Sequence, residues 1–238
     1  MPTSRRLSSS LIAVALIGVF ALTACAPGTP TSPSETPSAS ETPSPTPTPT
    51  PAPTAPTMDE LAITPDGMGT LVIGEAPSTE PGVQMLEEDP AACSDENTGF
   101  EAGVKPGDPE AIRWVPIDAY QPRGYAPWSA DVHDGILMRI DLLDGSIPTD
   151  KGIRIGDPGT AALAAYPEAA VVDEWGTDVL VVPGEHGVLH IEIARDPGGD
   201  LAGYWADQVD KVVYIRAVDL HGGVFTVAAS ENIAGVCL

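Results

Sequence analysis

The sequence predicts an α+β fold in which short helices pack on one face of a mainly antiparallel sheet. Several short runs rich in Val, Ile and Leu are separated by clusters of Gly, Pro and Asp, as is typical of strands and turns. One Ala-rich run, between Pro158 and Pro167, has the composition of a helix. The closely spaced strand-like runs that follow it favour an antiparallel meander covered by that helix.

The first half of the folded region gives the weaker strand signals. Residues 69–75 parallel residues 151–157, because each segment contains aliphatic residues followed by Gly and an acid. This similarity predicts two similar halves, residues 58–150 and 151–238, that share one continuous sheet. In the first half we expect a helical turn over residues 83–88, strands over residues 112–118 and 136–143, and a tight turn at Asp134-Gly135.

The second half predicts one short helix followed by strands. We expect Asp157 as the N-cap and Pro158 as the first helical residue, with Pro167 ending the helix. So short a helix must pack its Leu163 and Tyr166 side on apolar partners. Strands are then expected over residues 178–182, 188–194, 211–218 and 224–229, with a hairpin loop at residues 183–187.

Residues 188–194 alternate between two kinds of side chain. Three aliphatic residues share one face of the predicted strand, whereas His190, Glu192 and Ala194 share the other. We expect the aliphatic face to lie on the core and the face with His190 to lie in solvent.

Residues 1–24 have the three parts of an export signal. Two arginines precede an apolar run of 12 residues, 11–22, which is shorter than the roughly 20 residues needed to span a membrane. Residues 22–25 (LTAC) resemble the lipobox of bacterial lipoproteins. That resemblance implies cleavage before Cys25 and a diacylglyceryl thioether on its sulfur, which would hold the chain on the extracytoplasmic face of the cell membrane. The alternative is a secreted protein whose leader happens to end in cysteine.

Residues 25–57 are predicted as the lipidated cysteine and a disordered stalk. Residues 26–57 contain 11 Pro, 9 Thr and 5 Ser among 32 positions. This composition favours solvated polyproline II conformations with about 3.1 Å per residue, so the stalk would reach about 100 Å at full extension. Such a segment holds a domain away from the lipid surface.

The remaining residues, 58–238, are strongly acidic, with 32 Asp and Glu against 9 Lys and Arg. This charge argues against nucleic acid as a partner and against close contact with anionic lipid headgroups. A simpler explanation is that the acidity keeps an exported protein soluble. The chain contains 3 Lys and 8 Arg and is rich in Ala, Gly, Pro and Asp, which favours a high-GC genome such as that of an actinobacterium.

Cys93 and Cys237 are the two thiols that remain after lipidation of Cys25. An oxidising compartment favours a disulfide between them, which would join the C-terminus to the first half of the domain. Such a bridge closes a long loop and would contribute about 3–5 kcal/mol. Two free buried thiols are the alternative.

Residues 152–167 combine a glycine, aliphatic residues, Ile-Gly-Asp, a short Ala-rich helix and Tyr-Pro before the predicted meander. This pattern resembles exported actinobacterial lipoproteins with the helix-plus-meander architecture of BamE-type envelope proteins and β-lactamase inhibitory protein. Members of that architecture are generally binding or scaffolding modules. The resemblance therefore implies protein recognition, without naming a partner.

No catalytic motif stands out in the sequence. The four histidines fit no zinc or acid–base motif, and a nucleophile elbow and a phosphate loop are both missing. We therefore expect no catalytic residues, no metal and no cofactor. The residues considered were His133, His186, His190 and His221, and Glu87, Glu88 and Asp89 as a possible Ca²⁺ site.

Four aromatic residues lie within 15 positions among Pro and Gly: Trp114, Tyr120, Tyr125 and Trp128. If exposed together, they would form a surface that recognises a protein or a wall sugar. The alternative is that they fill one end of the core. The aromatic pair at residues 204–205 poses the same question.

The function predicted from these features is that of a membrane-anchored extracytoplasmic lipoprotein without enzyme activity. Its acidic domain would bind an envelope protein of unknown identity, and its Cys25 acyl chains would bind the lipid bilayer. The alternative is a binder of a small ligand, Ca²⁺ or wall glycan.

Overall fold

The computed structural model describes residues 54–221, 223, 226–230, 232–235 and 237. The predicted leader, Cys25 and the stalk up to residue 53 lie outside the described residues. Residues 54–57, at the end of the predicted stalk, lie against the domain: Ala55 N donates to Gly82 O at 2.6 Å, and Tyr120 Oη donates to Pro56 O at 2.8 Å. Among the described residues, no helix has the length and apolar character needed to cross a membrane.

Short strands dominate the described part of the chain, and its helices have seven residues or fewer. The strands are β1 (Ile63–Thr64), β2 (Gly67–Met68), β3 (Leu71–Val72), β4 (Leu86–Asp89), β5 (Arg113–Pro116), β6 (Trp128–His133), β7 (Ile136–Leu142), β8 (Ala170–Glu174), β9 (Thr177–Pro183), β10 (Gly187–Ala194) and β11 (Val212–Asp219). The helices are α1 (Asp95–Thr98), α2 (Gly159–Ala165) and α3 (Val227–Ser230), with 3₁₀ turns at Met58–Glu60, Asp118–Tyr120, Gly199–Leu201 and Ala206–Gln208.

Six strands form the main sheet, in the order β6-β7-β11-β10-β9-β8, with every neighbouring pair antiparallel. Two smaller antiparallel sheets contain β1-β2-β3 and β4-β5. The expectation of antiparallel sheets with short helices is confirmed in this coarse form, and the domain is mainly β.

Residues 58–150 and 151–238 both contribute strands to the main sheet, but the predicted internal repeat is not visible in their structures. Leu71–Val72 form a strand within residues 69–75, whereas residues 151–157 contain turns and no strand. The similarity between these two segments therefore reflects shared residue types and not a shared local fold.

Two of the tight hairpins in the main sheet follow from signals that were recognised in the local sequence. Asp134 and Gly135 join β6 to β7 with φ angles of 51° and 76°, the left-handed conformation that a two-residue hairpin needs. The loop at residues 183–187 joins β9 to β10, and Gly184 N donates to Gly187 O at 2.8 Å. The predicted strands at residues 112–118, 136–143, 178–182, 188–194 and 211–218 are confirmed by β5, β7, β9, β10 and β11.

The main core lies on one face of the six-stranded sheet, beneath the small β1-β2-β3 sheet and α2. Leu189 and Ile191 of β10 are fully buried there, together with Ile63 and Ile73 from the N-terminal part of the domain. Asp66 Oδ1 also accepts the backbone N–H of His186 at 2.6 Å, which ties the small sheet to the β9–β10 loop.

Helix α2 begins one residue later than expected, and the residues that it buries also differ from those expected. Pro158 is the N-cap, while Asp157 Oδ2 accepts the N–H of Arg154 at 2.8 Å and closes the preceding turn. Ala162 and Tyr166, four residues apart, are buried, whereas Leu163 is 45 % exposed. The expectation that Leu163 packs on the sheet is therefore wrong.

Two segments differ from the predicted elements. The predicted helical turn at residues 83–88 ends in strand β4, which pairs with β5. The predicted strand at residues 224–229 is wrong for its described residues, because Val227–Ser230 form helix α3. The carboxylate of Glu192 accepts the N–H groups of Val227 and Ala228 and so stabilises the start of this helix.

We expect Gly159→Ala to destabilise the domain by about 1–3 kcal/mol, despite the higher helix propensity of alanine. A Cβ atom there would overlap the Cγ2 methyl of Ile193 in β10 and lie 3.1 Å from Asp210 O. Urea unfolding measures the change, and Thr160→Ala, at the next and exposed position of α2, is the control. Equal stability of the two variants would contradict this close packing.

Candidate functional site

The second face of the main sheet is covered by the C-terminal segment, which begins near Thr226 and ends at Cys237. A disulfide joins Cys93 to Cys237 with a Cα–Cα distance of 5.3 Å across a sequence separation of 144. The segment also passes over β6, where Gly235 lies close to Ala130 O. The expectation that His190, Glu192 and Ala194 face solvent is wrong, since all three are at most 3 % exposed beneath this cover.

A row of buried ionisable residues lies under the C-terminal segment. Asp141 of β7 lies opposite Arg216 of β11, which in turn lies opposite His190 of β10. We call these three residues the charged row. Arg216 Nη2 donates to Asp141 Oδ2 at 3.3 Å, and Arg216 Nε lies 3.2 Å from Asp141 Oδ1, so the two side chains form a close ion pair with one hydrogen bond.

Backbone groups of the C-terminal segment add hydrogen bonds to these side chains. Ala234 N donates to Asp141 Oδ2 at 2.7 Å, and Arg216 Nη2 donates to Asn232 O at 3.0 Å. Glu192, one step along β10, accepts Val227 N at 2.6 Å. A buried charge without such partners costs several kcal/mol, so the charged row holds the C-terminal segment in place.

Burial dominates the electrostatics of this region. It raises the pKa of Asp141, against the opposing effects of Arg216 and Arg139, and it raises the pKa of Glu192, against the N–H groups of α3. Burial, aided by the charge of Arg216, lowers the pKa of His190 to about 4. His190 is therefore neutral near pH 7, and it is only 3 % exposed. The region has the properties of a structural network.

Beside the covered face lies an open cleft of about 550 Å³. Half-buried Trp114 of β5 lines it, and it also contains both cationic and anionic side chains. Arg139 Nε is 3.4 Å from Asp141 Oδ2, and its Nη2 donates to Asn232 Oδ1 at 3.0 Å, so this cation is held by the charged row and the C-terminal segment. The charged lining residues are Glu88, Arg113, Asp131, His133, Asp134 and Arg139.

The predicted aromatic cluster does not form one exposed surface. Tyr120 and Trp128 are 3 % and 1 % exposed and pack edge to face with ring centroids 6.1 Å apart. These two fill the core, and their assignment to a partner-binding surface is wrong. Trp114 lines the cleft, and Tyr125 is exposed on its own.

The second aromatic group forms a continuous series of four rings. Trp175 contacts Tyr204, Tyr204 contacts Trp205, and Trp205 contacts Tyr214, with centroid distances of 5.3, 5.0 and 6.3 Å. Trp205 is buried, and its Nε1 donates to Gly176 O at 2.7 Å. Trp175 in the β8–β9 turn and Tyr204 are 40 % and 47 % exposed. We call Trp175 and Tyr204 the aromatic patch.

Trp175 was not predicted from the sequence as part of an aromatic surface, because it stands alone in the chain, 29 residues before Tyr204. The available signal was the Trp175-Gly176 pair between two runs of Val, which is typical of a tight turn and therefore places the indole at an exposed tip. Gly176 has a φ of 69° there.

The three acids considered as a possible Ca²⁺ site do not converge in the structure. Glu87, Glu88 and Asp89 follow one another along β4, so neighbouring side chains point to opposite faces of the strand. Asp89 Oδ1 accepts the N–H of Ala91 at 2.8 Å. Within the described residues, no group of three or more His, Cys, Asp and Glu side chains is arranged to hold a metal ion.

We expect His190→Gln to change the pH dependence of stability. The pKa of His190 is about 4 in the folded protein and 6.5 in the reference state, so between these values mainly the unfolded chain takes up the proton. Acidification through this window therefore destabilises the wild type by up to about 3 kcal/mol relative to the variant.

Urea unfolding of both proteins, above pH 6.5 and near pH 4, measures this difference. The raised pKa values of Asp141 and Glu192 act in the opposite direction, but they are present in both proteins and largely cancel. Parallel pH profiles would contradict a buried neutral His190.

The comparisons with known proteins do not assign this chain to a family. No protein-family model, no curated protein and no solved structure matches it. Its function must therefore be argued from the surfaces described above.

Proposed function

We propose that this protein is a membrane-anchored extracytoplasmic lipoprotein without enzyme activity, whose acidic domain binds another protein of the cell envelope. The N-terminal leader and the LTAC sequence ending at Cys25 support the anchor. The Pro-rich segment supports a stalk that carries the domain away from the lipid. These features require the partner to be reachable from the outer face of the membrane.

The observation that carries the binding proposal is the aromatic patch. Aromatic side chains bury a large area at little cost in conformational entropy, and Trp and Tyr are enriched among the residues that dominate binding energy. Trp175 and Tyr204 are exposed next to each other, and Trp205 and Tyr214 support them from below. The patch is thus oriented before a partner arrives.

The resemblance of residues 152–167 to helix-plus-meander envelope proteins supports the same class of function, because that architecture serves protein recognition. Burial lowers the pKa of His190 and also leaves it only 3 % exposed, so this imidazole is not presented to a substrate. The covered charged row therefore favours a binding module over an enzyme.

A second candidate function is the binding of a small ligand in the cleft beside β5. Trp114 offers an aromatic wall there, while Arg113 and His133 offer donors for hydroxyl or carboxylate groups. A wall glycan fragment has this chemistry. Thermal-shift measurements with muropeptides, compared between the wild type and Trp114→Ala, test this candidate.

We expect Cys25→Ala to release the protein from the membrane fraction, because the thioether needs a cysteine sulfur. Cell fractionation and the mass of the N-terminal peptide measure the anchor. Ala24→Gly, which keeps a small residue before the cysteine, should remain anchored. Recovery of Cys25→Ala in membranes at the wild-type level would refute the lipoprotein assignment.

We expect the double variant Trp175→Ala, Tyr204→Ala to lose its partner. In-cell crosslinking and mass spectrometry should recover a recurrent envelope protein with the wild type, and recovery should fall about tenfold or more with the variant. Both side chains are well exposed, so the domain should remain folded.

Tyr125→Ala is the matched control, since Tyr125 is also an exposed aromatic residue, at 53 %, but lies outside the patch. It should recover the partner as the wild type does. Failure to find any recurrent partner would count against protein binding as a whole, whereas equal recovery with all three proteins would count against the aromatic patch.

A further inference from the structure

Strand β8 forms one edge of the main sheet and lies next to the aromatic patch. Within the described part of the chain, β9 is the single strand that pairs with β8. The opposite edge strand, β6, has β5 packed beside it. An open strand edge presents backbone N–H and C=O groups to which another extended chain can bind.

Two backbone hydrogen bonds between β9 and β10 determine which groups of β8 point outward. Gly184 N donates to Gly187 O, and Arg195 N donates to Gly176 O. Both belong to the β9–β10 ladder, and hydrogen-bonded pairs alternate along an antiparallel ladder, so Leu180 and Asp178 also bond to β10.

The alternate residues of β9 must therefore bond to β8. The β8 residues opposite Leu180 and Asp178 are Val171 and Asp173. Their backbone N–H and C=O groups point away from the sheet. The side chain of Val171 is 54 % exposed, so it does not block access to this edge.

The surroundings of this edge are acidic. A hollow of about 330 Å³ beside β8 is lined by Trp175 together with Asp173, Glu174 and Asp196. The one cation that lines it, Arg195, is already paired with Asp173 and with Asp178, at 3.3 Å from the latter. A ligand in the hollow therefore meets uncompensated negative charge and an indole side chain.

We infer that β8 binds an extended segment of a partner protein that carries Lys or Arg side chains. The backbone of that segment pairs with Val171 and Asp173 as a seventh strand, and a cationic side chain enters the hollow, where it contacts Trp175 and the carboxylates. A second copy of this chain fits poorly, because pairing β8 with itself would bring two acidic edges together. This inference rests on the proposed protein-binding function and names the chemistry of the partner.

The test uses the full-length protein in detergent and two short blocked peptides, one alternating Lys with Val and the other alternating Glu with Val. NMR-detected hydrogen exchange reports the protection of individual amides. The Lys peptide should slow exchange at Val171 and Asp173 by about tenfold or more, and added salt should weaken this effect. The Glu peptide should leave both amides unprotected.

Two variants separate edge pairing from binding elsewhere. Val171→Pro removes an outward N–H without removing a ladder hydrogen bond, as proline at a sheet edge allows, and should abolish protection at Asp173. Val171→Thr keeps the N–H and should bind as the wild type does. Hydrogen exchange within β9 and β10 checks that both variants remain folded.

The inference is overturned if the Lys peptide does not protect these amides, if the Glu peptide protects them equally, or if Val171→Pro binds as well as Val171→Thr. A recurrent crosslinked partner that depends on Trp175 and Tyr204, found together with any of these results, would leave the protein-binding function standing and remove only the strand-pairing mode. Protection by the Lys peptide with no crosslinked partner would leave the strand-pairing mode standing and count against the protein-binding function.

Discussion

The ion pair between Asp141 and Arg216 is the interaction on which the second face of the domain depends. Both side chains are nearly fully buried in the middle of the six-stranded sheet, where unpaired charges are strongly unfavourable. Each side chain also hydrogen-bonds to the backbone of the C-terminal segment, Arg216 to Asn232 and Asp141 to Ala234. The sheet therefore requires its cover, and the Cys93–Cys237 disulfide keeps that cover in place.

Once this face is closed, the exposed features of the sheet lie at its rim. Trp205 is buried at the end of the covered face and supports Tyr204, which in turn contacts Trp175 at the β8–β9 turn. The same turn places β8 at the edge of the sheet, where β9 is its one strand partner among the described residues. An oriented aromatic patch and a strand edge thus occur together because of how the sheet ends, and the acidic side chains around them are the basis for the cationic partner proposed above.

Four of the six strands in the main sheet, β7, β9, β10 and β11, could be predicted from the sequence, because each depends on local residue types. Asp134-Gly135 determines its own hairpin, and the Val- and Ile-rich runs of β9, β10 and β11 are long enough to show strand propensity. Errors occurred where a distant group decided the outcome. Val227 and Ala228 lie in an apolar run typical of a strand, yet they begin a helix because the carboxylate of Glu192 binds their N–H groups. Leu163 is exposed because packing of Gly159 on Ile193 sets the rotation of α2.

The sequence by itself determined the features that need no folding partner: the apolar run of residues 11–22, the nearby Cys25, the Pro-rich segment, the acidic charge and the turn residues of the hairpins. Only the tertiary structure decided which polar faces are buried and which aromatic residues are exposed. The sequence predicted that His190 and Glu192 face solvent, but the C-terminal segment covers both. It also offered Trp128 as part of an aromatic surface, but Trp128 is buried and packs on Tyr120. Burial is set by chain segments far apart in sequence, and local residue patterns carry no information about which of them will meet.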